Sequence, residues 1–98
     1  MNTIKIVRYT LKTDRAAENE QRIKAVFLQM LDKKLPGIEY AVYKLADGVS
    51  FVHILSYERE SAHQALINLP AFQEFQAQAK DRFEESPLVS GAEEIGFY

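Results

Sequence analysis

Residues Tyr40–Tyr57 read YAVYKLADGVSFVHILSY, two apolar runs joined at Asp47-Gly48. Asp-Gly between two such runs predicts a two-residue hairpin loop, because a type I′ turn needs positive φ at both central positions. The loop sets the register of the two strands. One face, which we call face A, carries the pairs Lys44/Phe51, Val42/His53 and Tyr40/Leu55, and the other, face B, carries Tyr43/Val52 and Ala41/Ile54.

Each face of this hairpin is mainly aliphatic and aromatic. A hairpin with one solvated face would alternate apolar with polar residues, so both faces must be covered by other parts of a structure. The elements around the hairpin indicate what the covers are.

The segment before the hairpin predicts a strand and then a helix. Thr3–Lys12 alternates apolar residues on both of its faces, as the hairpin does. Apolar residues then recur at helical spacing, which predicts an amphipathic helix over Asp14–Lys34, with Thr13 and Asp14 as candidate N-caps. Pro36-Gly37 ends the helix before the second strand.

The segment after the hairpin predicts a second helix and a last strand. Ser61-x-x-Gln64 resembles a capping box that opens a short helical turn. The second main helix follows, with Asn68 as its cap and Pro70 in its first turn, and runs to about Glu85. Ser86-Pro87 marks a break, and the alternation in Val89–Tyr98 predicts the last strand.

This order is β-α-β-β-α-β, the ferredoxin-like arrangement: an α+β fold with a four-stranded antiparallel sheet and two helices on one face. We expect the helices to cover face B, where the small Ala41 leaves room for them. Face A would then be exposed over an area larger than soluble monomers usually show. The prediction is a homodimer that packs sheet against sheet.

Length and composition narrow the function. A chain of 98 residues is expected to form one domain, residues 1–98. Net charge −2 without a basic stripe argues against nucleic acid, and no apolar run approaches the roughly 18 residues of a membrane span. The absence of cysteine, with no signal-peptide core after the first Met, favours a cytoplasmic protein.

Several stretches resemble the dimeric α/β-barrel proteins, particularly the antibiotic-biosynthesis-monooxygenase-like group. The likeness spans nearly the whole chain and rests on the strand 6–12, Pro36-Gly37 before the hairpin, DGVSFVHI at 47–54 and LPAFQEF at 69–75. It implies two ferredoxin-like protomers with their sheets packed together, and an apolar pocket in each. Members of that group include cofactor-free oxygenases of aromatic polyketides, haem-degrading enzymes and small isomerases.

The catalytic residues of those relatives do not carry over. The haem-degrading members resemble one another in an Asn, a Trp and a His, but this chain has no Trp, and Gln76 stands where the His is expected. The polyketide oxygenases also use a Trp and an Asn near the second helix, and only Asn68 offers a match. The resemblance therefore argues against haem degradation and leaves oxygenation without one of its expected residues.

His53 is the main candidate for chemistry. It lies in mid-strand on face A, and an imidazole that titrates near neutral pH suits a general base. In a cofactor-free oxygenase the deprotonated substrate gives an electron to O₂, so the protein needs only a base, an apolar pocket and donors for the developing anion. His53 as base, with Arg8 and Tyr40 as donors, meets that need. The structural alternatives are a hydrogen-bonded His53 in an interface and a salt bridge at Arg8.

The sequence hypothesis is a homodimer that binds a small apolar or aromatic molecule, with cofactor-independent oxygenation as its most specific activity. The alternative is a non-catalytic binding or assembly module of the same fold. No cofactor is implied, and two histidines, His53 and His63, are too few for a metal site. The candidate ligand-binding residues are Val42, Phe51, Leu55, Asn68 and Phe72.

Overall fold

The computed structural model describes residues 2–98 and contains one four-stranded antiparallel sheet with the strand order β2-β3-β1-β4. Its strands are β1 (Thr3–Leu11), β2 (Ile38–Lys44), β3 (Ser50–Tyr57) and β4 (Phe83–Ala92). Its helices are α1 (Ala16–Lys33), α2 (Glu60–Ile67), α3 (Pro70–Ala77) and the short α4 (Ala79–Arg82). The α+β ferredoxin-like fold predicted from the order of elements is confirmed. No helix among residues 2–98 combines the length and the hydropathy that a membrane-spanning segment requires.

The register of the β2-β3 hairpin agrees with the prediction at every pair, but its turn differs. A type I′ turn needs positive φ at Asp47 as well as at Gly48, and only Gly48 has it, at +78°. The Gly48 amide donates to the Leu45 carbonyl at 2.9 Å, and the Asp47 carboxylate accepts from the amides of Val49 and Ser50. Asp47 therefore supports the turn through its side chain, and only Gly48 supplies the left-handed conformation.

The helices cover face A, so the prediction that they cover face B is wrong. The pairing of β1 with β3 sets Val7 beside His53 and Tyr9 beside Phe51, which places Tyr9 and Leu11 on face A. Burying large apolar side chains stabilises a fold more than the close approach of a helix to a small residue does. The burial of Tyr9 and Leu11 on face A therefore outweighs the space that Ala41 leaves for a helix on face B. The buried cluster that they form with the helices consists of Tyr9, Leu11, Ile23, Val26, Phe51, Leu66, Leu69, Ala71 and Phe75.

Face B is the side of the sheet that none of the helices within residues 2–98 covers. Exposed apolar side chains lie on it, with Ile54 37%, Tyr43 56% and Leu88 74% exposed. Ile6 pairs with Ile54 in the middle of this face. The excess of apolar sheet surface read from the sequence is therefore present, on the opposite side from the one expected.

The helix ends differ from the sequence predictions in their caps. Neither Thr13 nor Asp14 caps α1, which is preceded by a 3₁₀ turn over Thr13–Arg15, and no side chain caps α2 or α3 from its N-cap position. Asn68 ends α2 and does not begin α3. The first turn of α3 is instead held from outside, since the Ala71 amide donates to the side chain of Gln29 on α1 at 2.9 Å. Pro70 lies in that first turn, as predicted.

The second main helix ends earlier than Glu85, and the last strand begins earlier than Val89. Strand β4 pairs with β1 from Phe83 opposite Leu11 to Ala92 opposite Ile4, with two shifts of register, and the bulge between Glu85 and Leu88 contains Pro87. Because β1 begins at Thr3, residues 93–98 have no strand to pair with, and they are irregular and exposed. The predicted last strand is therefore correct over Val89–Ala92 and wrong over residues 93–98, and Ser86-Pro87 lies within the observed strand.

Candidate ligand-binding site

A cavity of about 780 Å³ lies between face A and the helices. Its floor is the middle of the sheet, where Tyr9, Tyr40, His53 and Leu55 project from three neighbouring strands. Helices α2, α3 and α4, with the first half of β4, form its other walls. Ligand pockets typically have this size and mostly apolar lining, with a small number of polar groups.

His53 occupies the centre of this floor because β3 is an inner strand. It is only 6% exposed, and both of its ring nitrogens face a tyrosine hydroxyl. Nε2 lies 2.7 Å from Tyr9 Oη on β1, and Nδ1 lies 2.7 Å from Tyr40 Oη on β2. Tyr9 pairs with Phe51 and Tyr40 with Leu55, so the two tyrosines are the diagonal neighbours of His53 on either side. Strand register alone thus assembles the phenol-imidazole-phenol group.

The polar group continues away from the cavity into the core. Asn19 on α1 is fully buried, and its Nδ2 donates to Tyr9 Oη at 2.9 Å. Arg82 at the end of α4 is also fully buried, and its Nε donates to Asn19 Oδ1 at 3.2 Å. The same guanidinium donates to the carbonyl of Phe75 and lies 3.7 Å from the carboxylate of Glu18. A buried arginine is stable only with such partners, so this chain of contacts fixes how α1 and α4 meet the sheet.

Burial shifts the titration of all three ring groups in the direction of the neutral form. It lowers the pKa of His53 from 6.5 to about 4. It raises the pKa of Tyr9 to about 12, although the hydrogen bond from Asn19 and the charge of Arg82 act in the opposite direction. It also raises the pKa of the Tyr40 phenol, with a smaller contribution from nearby Tyr9. At neutral pH the two phenols and the imidazole are therefore all uncharged.

Charged side chains are confined to the side of the cavity near β4. Lys5, Lys80 and Glu84 line it, and none of them belongs to the His53 network. His63 also lines the cavity, where its ring stacks on Tyr57 with 4.6 Å between ring centroids. Among residues 2–98, no three His, Asp or Glu side chains gather as a ligand set for a metal ion.

The structure brings together only part of the set proposed from the sequence. His53, Tyr40, Leu55 and Phe72 all line the cavity. Arg8 does not join them, because it pairs with Val52 on face B and its side chain is exposed there. Arg8 therefore lies on the wrong side of the sheet to donate to a ligand in this cavity.

The remaining three proposed ligand-binding residues lie outside the cavity wall. Val42 and Phe51 face the helices but belong to the packed core, where Phe51 is 2% exposed. Asn68 is an exposed residue at the end of α2. A side chain on the correct face of a strand thus lines the cavity only where the helices stand away from the sheet.

Three residues of the network were not among the sequence candidates. Tyr9 could have been found from the sequence. Tyr9 and Leu11 share one face of β1, and testing the possible pairings of β1 with β3 would have shown that this face can lie on the same side of the sheet as His53. Asn19 and Arg82 gave no such signal, since polar residues in amphipathic helices are normally solvated. Only the packing of α1 and α4 against β1 brings them to Tyr9.

Comparison with solved structures confirms the fold. A protein from Mycobacterium tuberculosis superposes with a TM-score of 0.79 at 17% identity, over 99% of this chain and 98% of that one. Two proteins named "putative antibiotic biosynthesis monooxygenase" also match. The one from Nitrosomonas europaea has a TM-score of 0.79 at 17% identity, over 96% of this chain and 90% of its own. The one from Bacteriodes thetaiotaomicron has a TM-score of 0.82 at 16% identity, with the same two coverages.

The sequence itself matches no protein-family model and no curated protein. The resemblance to antibiotic-biosynthesis-monooxygenase-like structures is therefore confirmed at the level of the ferredoxin-like fold. At such low identity, function has to be argued from the cavity and its residues.

Proposed function

We propose that this chain binds a small apolar or aromatic molecule in the cavity between face A and the helices. The observation that carries the proposal is the cavity of about 780 Å³ with an uncharged phenol-imidazole-phenol group on its floor. A packed core would leave no such space, because protein interiors contain few voids larger than a water molecule. The aromatic rings of Tyr40, Phe72 and Phe75 offer faces and edges for stacking with a ligand ring.

Binding is tested by filling the cavity. Ala79 is half-buried on the cavity wall, whereas Ala77, two residues earlier, is exposed and does not line it. Ala79→Phe should abolish saturable binding of the bicyclic hydrocarbon tetralin, measured by NMR titration, and Ala77→Phe should leave it unchanged. Tetralin that fails to bind the unmodified protein, or that binds both variants equally, would refute the proposal.

Cofactor-independent oxygenation is the second candidate, and the position of His53 beside Tyr40 favours it. In this reaction an anthrone-like methylene would lose its two hydrogens, one atom of O₂ would become the ketone oxygen, and the other would leave as water. The His53 ring is neutral at neutral pH and could take the first proton on Nε2 through Tyr9, which also lines the cavity, while Tyr40 beside Nδ1 would donate to the developing anion. Its low pKa makes it a weak base, however, which is why we rank binding before catalysis.

Oxygen uptake distinguishes the two candidates. With anthrone as substrate and no added metal or flavin, an oxygenase would consume O₂ faster than buffer alone, and Tyr40→Phe would remove the excess. Tyr43→Phe is the matched control, because Tyr43 lies on the same strand but on face B. Anthrone that binds without any excess O₂ consumption would leave the binding function alone.

We also propose that a second copy of the chain covers face B. The centre of this face is apolar, with Ile6 beside Ile54, and an exposed apolar patch can be buried against its own copy across a two-fold axis. The homodimer inferred from the sequence thus remains the proposal, with face B in place of face A. The cavity then lies on the far side of each sheet from the partner, so each protomer would bind its ligand without help from the other.

A further inference from the structure

The hydrogen bonds around His53 form a series with one donor-to-acceptor order, and Arg82 is the donor at which this series begins. A guanidinium can only donate, so the Asn19 side-chain atom that faces Arg82 Nε at 3.2 Å is the amide oxygen. The other end of the same amide, Nδ2, must then donate to Tyr9 Oη, which lies 2.9 Å away. The orientation of Asn19 is therefore set by a group that cannot reverse its role.

Tyr9 passes this direction on to His53. Its hydroxyl oxygen already accepts from Asn19, and its own hydrogen needs an acceptor because the side chain is 4% exposed. Within residues 2–98 the only other partner of this hydroxyl is His53 Nε2, at 2.7 Å. Tyr9 thus donates to Nε2, which must be unprotonated. A neutral imidazole then carries its proton on Nδ1, and this nitrogen donates to Tyr40 Oη at 2.7 Å.

Tyr40 is the last group in this series of hydrogen bonds. Its oxygen accepts from His53, and no residue among those described accepts the hydrogen of its hydroxyl. Tyr40 also lines the cavity. We propose that the order Arg82-Asn19-Tyr9-His53 turns the Tyr40 hydroxyl hydrogen into the cavity, and that the ligand is an aromatic molecule with a ketone or quinone oxygen at that point. This inference rests on the proposed binding function and adds the chemical class of the ligand.

The opposite order of protons would select a different ligand. If His53 carried its proton on Nε2, Tyr40 would donate to Nδ1 and present only a lone pair to the cavity, which suits a phenol or an amine. Tyr9 Oη would then accept two hydrogen bonds while its own buried hydrogen had no partner. The directed order satisfies every buried group from Arg82 Nε to Tyr40, so the site is built to donate one hydrogen bond.

The tautomer of His53 can be measured without any ligand. The ¹⁵N chemical shifts of the two ring nitrogens distinguish the protonated from the unprotonated atom, and His63→Gln leaves one set of histidine signals to assign. We expect the proton on Nδ1 near neutral pH. A proton on Nε2 would overturn the inference, even if tetralin bound in the cavity as proposed.

Asn19→Asp changes the shape of the side chain very little but should reverse the donor-to-acceptor order of the hydrogen bonds from Tyr9 to Tyr40. A carboxylate at position 19 still accepts from Arg82, but it also accepts the hydrogen of Tyr9 and can no longer donate to it. Tyr9 Oη is then free to accept from Nε2, so the proton of His53 should move to that nitrogen and the Tyr40 hydrogen should turn to Nδ1. A variant that keeps the proton on Nδ1 would show that Asn19 does not position it.

The ligand class is tested with a matched pair, tetralin and its ketone α-tetralone. One neutral hydrogen bond should make the ketone bind about five-fold more tightly than the hydrocarbon. Tyr40→Phe and Asn19→Asp should each remove that preference, and Tyr43→Phe should keep it. Equal affinities in the unmodified protein would refute the ligand class while leaving the binding function standing, whereas no binding of either compound would refute the binding function itself.

Discussion

The Nε2 atom of His53 lies 2.7 Å from the hydroxyl oxygen of Tyr9, on a strand 44 residues earlier in the chain. This contact joins the cavity floor to the buried Asn19 and Arg82, so the same hydrogen bond belongs to the binding site and to the core. Side chains that hold such a position affect folding and function together, and the two effects have to be measured separately.

Tyr9→Phe should destabilise the fold. It leaves the Asn19 amide and the His53 Nε2 atom buried without a partner, and each such loss costs about 1–3 kcal/mol. We expect the free energy of unfolding in urea to fall by about 2–4 kcal/mol. Tyr43→Phe, which removes an exposed hydroxyl, should change it by less than about 0.5 kcal/mol. Equal effects of the two substitutions would show that the Tyr9 hydrogen bonds contribute nothing net.

Stability should depend on pH through His53. Burial lowers the pKa of His53 to about 4 in the folded chain from 6.5, so between these values the unfolded chain binds more protons. Stability therefore rises with pH across this window and is lost as the pH falls from about 6.5. Between about pH 7 and pH 5 we expect the free energy of unfolding to drop by roughly 2 kcal/mol.

His53→Gln is the control for this pH dependence, because its side chain does not titrate. The free energy of unfolding of this variant should be nearly constant over the same range. Carboxylates such as Glu18, whose pKa is lowered by the hydrogen bond from Arg15, lose their contribution only at more acid pH. An unchanged slope in the variant would mean that His53 is not the group responsible.

Ile54→Lys should separate the protomers if a second copy covers face B. A charge in the centre of an apolar interface is costly to bury, so sedimentation should show the unmodified protein as a dimer and the variant as a folded monomer. Leu31→Lys is the matched control, since Leu31 is an exposed leucine on α1, 73% accessible, away from the sheet face. A monomeric unmodified protein at micromolar concentration would refute the dimer.

Gly48→Ala should weaken the hairpin by a backbone effect alone. Gly48 has a φ of +78°, and a Cβ added there would meet no atom within 4 Å. The cost is therefore conformational, about 1 kcal/mol of unfolding free energy, since alanine disfavours the left-handed region. Gly91→Ala is the matched control, because its Cβ also meets nothing and its φ is not positive. Thermal unfolding should show a lower Tm for Gly48→Ala only.

The pairing of β2 with β3 could be predicted from the sequence because a loop signal and two apolar runs leave one register. The side on which the helices pack could not be read from the hairpin, since both of its faces are apolar. The deciding residues, Tyr9 and Leu11, lie on β1, and their effect depends on a register that the hairpin does not contain. A prediction based only on the small size of Ala41 therefore placed the helices on face B, which is the wrong face.

The candidate site, like the fold, could be predicted only in part from the sequence. The hairpin register placed His53 and Tyr40 on one face, and the structure shows them hydrogen-bonded. Arg8 was grouped with them by its charge, although its parity on β1 takes it to the other side of the sheet. Arg82 lies 63 residues from Asn19, and no local pattern in the sequence could indicate that the two would meet in the core.

Pro87 lies in the bulge of β4, the outermost strand beside β1. Proline has no amide hydrogen, and a bulge bends the strand, so this edge is a poor template for another chain to extend the sheet by backbone pairing. Edge-to-edge growth, which leads to aggregation of open sheets, is thus disfavoured on this side. The dimer proposed above would instead use the broad face B of the sheet, and such an association would close at two copies.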